Sequence, residues 1–405
     1  MKQFFKILFG STLSRSFAVF VYFFCVTGYA QQTESSKNQK AKVLSNKDSL
    51  IKIQDYKSIM FNGKDGPYIV HDTVYWVNSE NKLIKQEKFG FDSLVVRADN
   101  LDANEFYVSI NSNYEIPESE YDLPEKMVVI SDIEGKYDAF AGFLYANKVI
   151  DANHNWIFGN GHLVLVGDFV DRGKNVTQVL WLIYKMEDQA RLNGGQVHFI
   201  LGNHEVLNFQ GKHNYNRDKY IKVAQEISGE KDKNKAIKYM FSENSELGQW
   251  LATKNVIEKI GDYLFVHGGL SPELLAFELT LAEINQIVRS KFHGSEDVET
   301  KKTNFLYGSK GPFWYRGLAM ASLNYTKIKP SELDAILTYY DSKKMVVGHT
   351  IVEKISSDFE SKVIRIDVPH GYKKFSGKTK GLLIENGKEF IIDDRRDKSK
   401  RPTPL

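Results

Sequence analysis

The 405-residue sequence predicts an α/β fold, in which a large domain with parallel strands at its centre follows a small antiparallel β region. Three observations lead there. From Met127 onward short apolar runs, "MVVIS", "LVLVG" and "QVHFILG", alternate with helical stretches. The polar loops behind these runs recur at about 35 residues, close to the ~30 or more of one βαβ unit, so their side chains should emerge side by side at the carboxyl ends of adjacent strands. Beyond residue 260 strands dominate, in "YLFVHGG", "KKMVVGHT", "KVIRIDV", "GLLIEN" and "KEFIID", which calls for a second, mixed sheet stacked on the first.

Taken in order, residues 1–30 have the pattern of a secretory signal peptide. Lys2, Lys6 and Arg15 precede the run "SFAVFVYFFCVTGYA", which ends on small Ala30 and is shorter than the ~20 residues of a spanning helix. The expected localisation is secreted or periplasmic, with an uncleaved membrane anchor as the alternative and no stable membrane insertion once the leader is removed. Cys25, the single cysteine, lies inside this leader, and bulky Phe23 and Phe24 do not suit a lipoprotein cleavage site. Past Ala30 no thiolate is available, so metal ligands must be nitrogen or oxygen. Polar residues 31–45 are expected as a linker.

Residues 46–124 form the β-rich accessory region, with "PYIVHDTVYWV", the turn "NSENK", "SLVVRAD" and "EFYVSI". His71 there is a structural strand residue. The main domain spans 125–393. In its second helix, "VTQVLWLIYKMEDQARL", Val176, Leu180, Ile183 and Ala190 share one face, the stripe that packs on a sheet. Residues 206–260, rich in Lys and Asn, are expected as a helical insert beside the site. Residues 394–405, "DRRDKSKRPTPL", are expected as a solvated, flexible basic tail. The composition, 42% hydrophobic and 26% charged, excludes wholesale disorder, and a net charge of +3 is too small to imply a nucleic-acid partner.

Chemistry concentrates in the strand-end loops. Two hard or borderline cations sharing a site need oxygen-rich ligands, one of them bridging. Asp168 of "GDFVDRG" suits the bridge, and around it the chain supplies Asp132, Glu134, Asn203 of "GNHE", His267 of "VHGG" and His349 of "VGHT". Each follows an apolar strand, and glycines beside these residues let the backbone turn tightly into a shared pocket. A strand-end Asp alone is often only a helix cap, and a His before glycines only a loop residue. Five such loops in this order are another matter.

The series D-x-[H/E]-G, GDxxDRG, GNHE, HGG and GH resembles the calcineurin-like metallophosphoesterases, within them the phosphoprotein phosphatase branch. "GNHEVLNFQGKHNYNRDKY", "FVHGGLSPE" and "GPFWYRG" are similar to its Shewanella-like phosphatases, over residues 125–393. The resemblance implies a metallophosphatase-type α/β/β/α sandwich holding two divalent metal ions, with manganese expected first and iron, zinc or magnesium as alternatives. One metal would be held by Asp132, Glu134 and Asp168, the other by Asp168, Asn203, His267 and His349. The implied reaction is hydrolysis of a phosphomonoester, with a hydroxide between the metals attacking phosphorus in line. His204 would be the general acid, oriented by Asp171, while Arg172 and Arg316 would hold phosphate oxygens. His162, His198 and His293 are expected to be structural, and His213 and Tyr215 to lie on a solvated loop. Ile351 stands where phosphodiesterase relatives carry a second histidine, which favours monoester substrates.

Three functions follow as expectations. The first is a secreted phosphatase acting on phosphotyrosine or phosphoserine/threonine proteins. The second is a phosphatase of small phosphomonoesters or a dinucleoside polyphosphate hydrolase. The third is a non-catalytic metal- or phosphate-binding homologue, resting on Glu134 where the branch usually has histidine. As a ligand, Glu134 would make the first site all oxygen and shift it toward harder cations such as Mn²⁺ or Mg²⁺.

Overall fold

The computed structural model describes residues 55–58, 64–87, 93–111, 114–292, 300–321, 325–397 and 402–405. Ile53–Leu405 form one compact unit. The leader, Cys25, the linker and His293 lie outside the described residues. Among the described residues no helix is long and apolar enough to cross a membrane.

The accessory region contains β1 (Asp55–Ser58), β2 (Asp65–Val70), β3 (Thr73–Val77) and β4 (Lys82–Glu87), antiparallel in the order β1-β4-β3-β2. A separate antiparallel pair joins β5 (Ser93–Arg97) to β6 (Glu105–Ser109). The main domain begins with β7 (Glu120–Tyr121), β8 (Lys126–Ile130), α1 (Tyr137–Ala146), β9 (His162–Val166), α2 (Val176–Leu192) and β10 (Gln196–Ile200). A helical segment follows: α3 (Asn203–Phe209), α4 (Asp218–Ser228), α5 (Lys233–Met240) and α6 (Glu246–Ala252). Then come β11 (Ile257–Ile260), β12 (Tyr263–Val266), α7 (Leu281–Arg289), α8 (Lys301–Tyr307) and α9 (Pro330–Tyr339). The chain closes with β13 (Lys344–Val347), β14 (Ser356–Asp358), β15 (Val363–Arg365), β16 (Lys380–Glu385), β17 (Lys388–Asp393) and β18 (Thr403–Pro404).

Two mixed sheets result, ordered β10-β9-β8-β16-β17-β18 and β14-β15-β13-β12-β11-β7. Strands β8, β9 and β10 are parallel, as are β12, β13 and β15, the arrangement that gathers their carboxyl ends at one edge. Strand side chains alternate between faces. Met127, Val129, Val164 and Val166 thus meet Phe265, Val346 and Ile364 of the other sheet in one apolar seam. Their neighbours Val128, Ile130, Leu163 and Leu165 join Phe140, Phe143, Leu180 and Ile183 in the helix-side core.

Three expectations change. Helix α2 is buried along both its expected stripe and its far side, every position from Val176 to Met186 included, because the accessory strands cover the face a two-layer fold would leave wet. Gln178 Nε2 donates to Asp65 Oδ1, Gly66 O and Arg97 O, and Trp181 Nε1 donates to Pro67 O. Residues 257–260, expected within the helical insert, are strand β11 of the second sheet. The basic tail is also anchored where it is described. Buried Asp394 accepts from the Ser376 and Gly377 amides, the Arg396 guanidinium lies 3.9 Å from the Phe375 ring centre, and β18 pairs with β17.

A buried ion pair ties accessory region to insert. Lys219 Nζ of α4 lies 3.0 Å from Asp65 Oδ2, with both side chains almost fully buried. Lys219→Met leaves that carboxylate without its cation and should cost about 3–5 kcal/mol in denaturant unfolding, part of which Asp65→Asn restores in the double variant. A second check uses pH. Burial against Tyr137 and Phe106 pushes the His154 imidazole down to about 4 from 6.5, because the charged form is poorly solvated there. Between those values the unfolded chain binds more protons, so this contribution to stability is complete above about 6.5 and is lost as pH falls toward 4. His154→Gln should flatten the slope of stability against pH in that window.

Candidate metal centre

The loops behind β8, β9, β10, β12 and β13 extend the parallel ladders past the strand ends. Asp132 N donates to Gly167 O, Glu134 N to Asp168 O and Gly348 N to His267 O, each at 2.9 Å. Six side-chain-bearing residues of these loops take left-handed backbone: Asp132 (φ 53°), Glu134 (49°), Asp168 (60°), Asp171 (68°), Arg172 (51°) and His349 (63°). None is glycine, and each such position costs on the order of 1–3 kcal/mol, strain that gathers where side chains must be aimed rather than packed. Close approach demands glycine elsewhere. A Cβ on Gly202 would collide with the Asp168 carboxylate, and one on Gly348 would stand 2.5 Å from Asp132 Oδ2.

Ligand atoms of Asp168, His267 and His349 lie within 4.8 Å of one another, all three residues buried. His267 Nδ1–H donates to Val166 O at 2.8 Å, which turns Nε2 toward Asp168 Oδ2 at 3.1 Å and Asn203 Oδ1 at 3.0 Å. Both of those atoms are acceptors. A neutral imidazole would aim its lone pair at them, a set of three donor atoms that a cation satisfies. His349 Nε2 is buried with no hydrogen-bond partner, and its backbone N–H donates to Asp132 Oδ2 at 3.3 Å. The donor set, nitrogen and oxygen without sulfur, fits a divalent metal.

The electrostatics show what the cluster lacks. Burial opposes charge on His267, yet the Asp168 carboxylate beside it pushes the imidazole up to about 10. Burial, then the His267 and Arg316 charges, holds His349 neutral, the form that ligates metal. Although burial works against it, Asp168 is held below the usual carboxylate range by His267 and His204. Asp132 is pushed well up by burial and next by the charge of Asp367, a residue the sequence reading left inside strand "KVIRIDV". Asp367 is itself raised to about 7, by burial first.

His204 is the second residue of α3, directly after Asn203. Its Nδ1 lies 2.7 Å from Asp171 Oδ2, and its Nε2 is 3.8 Å from Asp168 Oδ2. Burial disfavours its charge, but Asp168 and Asp171 outweigh that and raise it above its ordinary value. The other Asp171 oxygen accepts from Asn208 and Asn216 amides, so the carboxylate cannot swing away.

Glu134, expected as a metal ligand, is paired with two side-chain cations. Oε1 is paired with the Arg172 guanidinium and Oε2 with Lys136 Nζ at 3.1 Å. Arg316 donates to His349 O at 2.8 Å and to Thr350 Oγ1 at 3.1 Å, buttressing the histidine loop. Tyr215 is exposed on its loop as expected, yet its ring centre stands 4.7 Å from that of His204, and the Arg172 guanidinium lies 5.2 Å from the Tyr215 ring centre, where Arg172 N donates to Tyr215 O. His213 contacts Asn234 at the exposed surface. His198 links Glu258 and His162 at the far end of the sheet.

Glu205 is a further residue to which sequence reasoning gave no role. Fully buried, it accepts the amides of Asp168 (3.0 Å), Phe169 (2.8 Å), Val170 (3.3 Å) and Gly202 (2.8 Å), fastening the Asp168 loop to the start of α3. The fourth letter of "GNHE" was its signal.

Comparison with known proteins agrees with this geometry. The family model described as calcineurin-like phosphoesterase matches residues 125–353. Shewanella-like protein phosphatase 1 of Plasmodium berghei is 30% identical over 67% of this chain and 71% of that protein. Shewanella-like protein phosphatase 2 of Arabidopsis thaliana is 26% identical over 72% and 80%. The crystal structure of a cold-active protein-tyrosine phosphatase from a psychrophilic Shewanella species superposes with a TM-score of 0.72 at 33% identity, covering 83% of this chain and 98% of that one. Such coverage is more than residues 125–405 can supply, so the likeness extends into the accessory strands, beyond the 125–393 expected from motifs. The chain therefore belongs to the calcineurin-like phosphoesterase family and is a metal-dependent phosphatase.

Proposed function

We propose that the chain is a phosphoprotein phosphatase that hydrolyses phosphotyrosine or phosphoserine/threonine esters with two divalent cations, manganese foremost, and that it works outside the cytoplasm behind a cleaved leader. The observation that carries the reading is the pairing of His204 with Asp171 at 2.7 Å beside the buried Asp168, His267 and His349. The similarity to phosphatases whose names specify protein or protein-tyrosine substrates supports the substrate class.

Asp132, Asp168, Asn203, His267 and His349 would hold the cations. Bound there, divalent metals supply Lewis acidity toward the phosphoryl oxygens and acidify water at neutral pH. The protein's residues do the rest. Asp171 keeps the His204 proton on the imidazole, and Nε2 delivers it to the departing oxygen of the side chain. Arg172, half exposed at the mouth, offers its remaining N–H groups to phosphate, and Arg316 holds the His349 loop in register. Tyr215 forms an aromatic wall beside His204, against which the ring of a phosphotyrosine can lie.

The full chain from Gln31, loaded with Mn²⁺, Fe²⁺ or Zn²⁺ in turn, should release phosphate from phosphopeptides in preference to nucleotides and sugar phosphates, and Asp168→Asn should abolish that release. His204→Ala should lower kcat on phosphoserine peptides by about 10²–10⁴ while leaving an activated aryl phosphate much less affected, because a good leaving group needs no acid. Equal losses on both substrates would remove His204 from the acid role. Preference for nucleotides would transfer the enzyme to small-molecule substrates.

A further inference from the structure

Asp367 lies two residues beyond the end of β15 and is almost fully buried. Among the described residues its carboxylate makes no hydrogen bond and no ion pair. That is costly: a buried carboxylate without donors is destabilising unless a cation or proton meets it. Its place in the fold is determined on three sides. The β13–β15 ladder pairs Val347 with Arg365 and continues as Ile366 N donates to Val347 O. Two residues past that last pair on each strand stand His349 and Asp367. The Asp367 carbonyl accepts Val352 N at 2.9 Å, and His370 Nε2, three residues on, hydrogen-bonds with Ser131 O at 2.8 Å, next to Asp132. The loop therefore spans from the His349 loop to the Asp132 loop.

At this edge His349 Nε2 is buried without a partner, and the carboxylate of Asp367, a residue 4% exposed, makes no hydrogen bond among the described residues. The Asp132 carboxylate receives the His349 amide at 3.3 Å and the Ser131 hydroxyl beside it. By contrast Glu134, the residue at the usual ligand position, has both oxygens occupied by the cations of Arg172 and Lys136. Moving it onto a metal would strip two ion pairs from the mouth. Asp367 loses nothing by ligation.

We propose that Asp367 is a metal ligand, completing an all-oxygen pocket with Asp132 and the shared Asp168, while Glu134 positions Arg172 and Lys136 at the rim. This rests on the reading of the site as a metal centre given above. It accounts for an aspartate–x–glutamate loop without loss of a site: the carboxylate that replaces the usual histidine comes from the other sheet.

The test reads metal directly. The full chain from Gln31, stripped with EDTA and reloaded with Mn²⁺, is compared with Asp367→Asn and Glu134→Gln by metal content after desalting, Mn²⁺ titration and thermal melting with and without Mn²⁺. Wild type and Glu134→Gln should keep two equivalents. Asp367→Asn should keep about one, or bind the second at least about tenfold more weakly, the scale on which even outer-shell partners act. In EDTA, Asp367→Asn should melt above wild type, since an uncompensated buried charge is gone, and it should gain less from Mn²⁺. Glu134→Gln should raise KM for phosphopeptide with kcat less affected. Unchanged Mn²⁺ content and affinity in Asp367→Asn, with a wild-type Mn²⁺ shift in melting, would overturn the proposal while sparing the phosphatase reading. Loss of an equivalent in Glu134→Gln would return the ligand role to Glu134. Wild type that binds no metal would sink both readings.

Discussion

The Asp168 carboxylate is the point through which the two sheets communicate. One oxygen accepts the His204 amide at 2.9 Å, and the other faces His267 at 3.1 Å, so β9, α3 and β12 converge on a single side chain. The charge is kept usable by its surroundings. Glu205, four times hydrogen-bonded, fixes the loop that presents it, and Gly202 leaves room for it. A left-handed backbone at Asp168 is tolerable only because the loop is held from both sides in this way.

Charge around this hub is arranged in two zones. Inside, carboxylates and imidazoles face one another with too few donors, a set that calls for cations. Outside that set the balance inverts: the Arg172 guanidinium and Lys136 ammonium flank Glu134 and are held in place by its carboxylate. Glu134 thus keeps two like charges close together, which an uncharged residue could not do.

The converging strand-end loops were legible because each breaks an apolar strand with a polar residue next to glycine, as "GDFVDRG" and "VGHT" do. Helix α2 was read to its boundaries, yet its burial was not, since the strands that cover it lie far earlier in the chain. Asp367 was hidden for a local reason. "KVIRIDV" keeps its β-branched rhythm through the aspartate, whereas the strand ends at Arg365. The anchoring of the tail was equally invisible, because Asp394 caps a turn at residues 376–377 that no periodicity announces.

The shared core of α2 and the accessory strands bears on where this protein can be divided. The family match begins at residue 125, but Trp181, Gln178 and Tyr184 are sealed by residues that precede it. A chain cut at the family boundary would present water with the indole, amide and apolar flank of its longest described helix. It would also release the insert from Asp65. The limit drawn by ancestry and the limit drawn by packing fall at different residues, and it is the second that decides what folds.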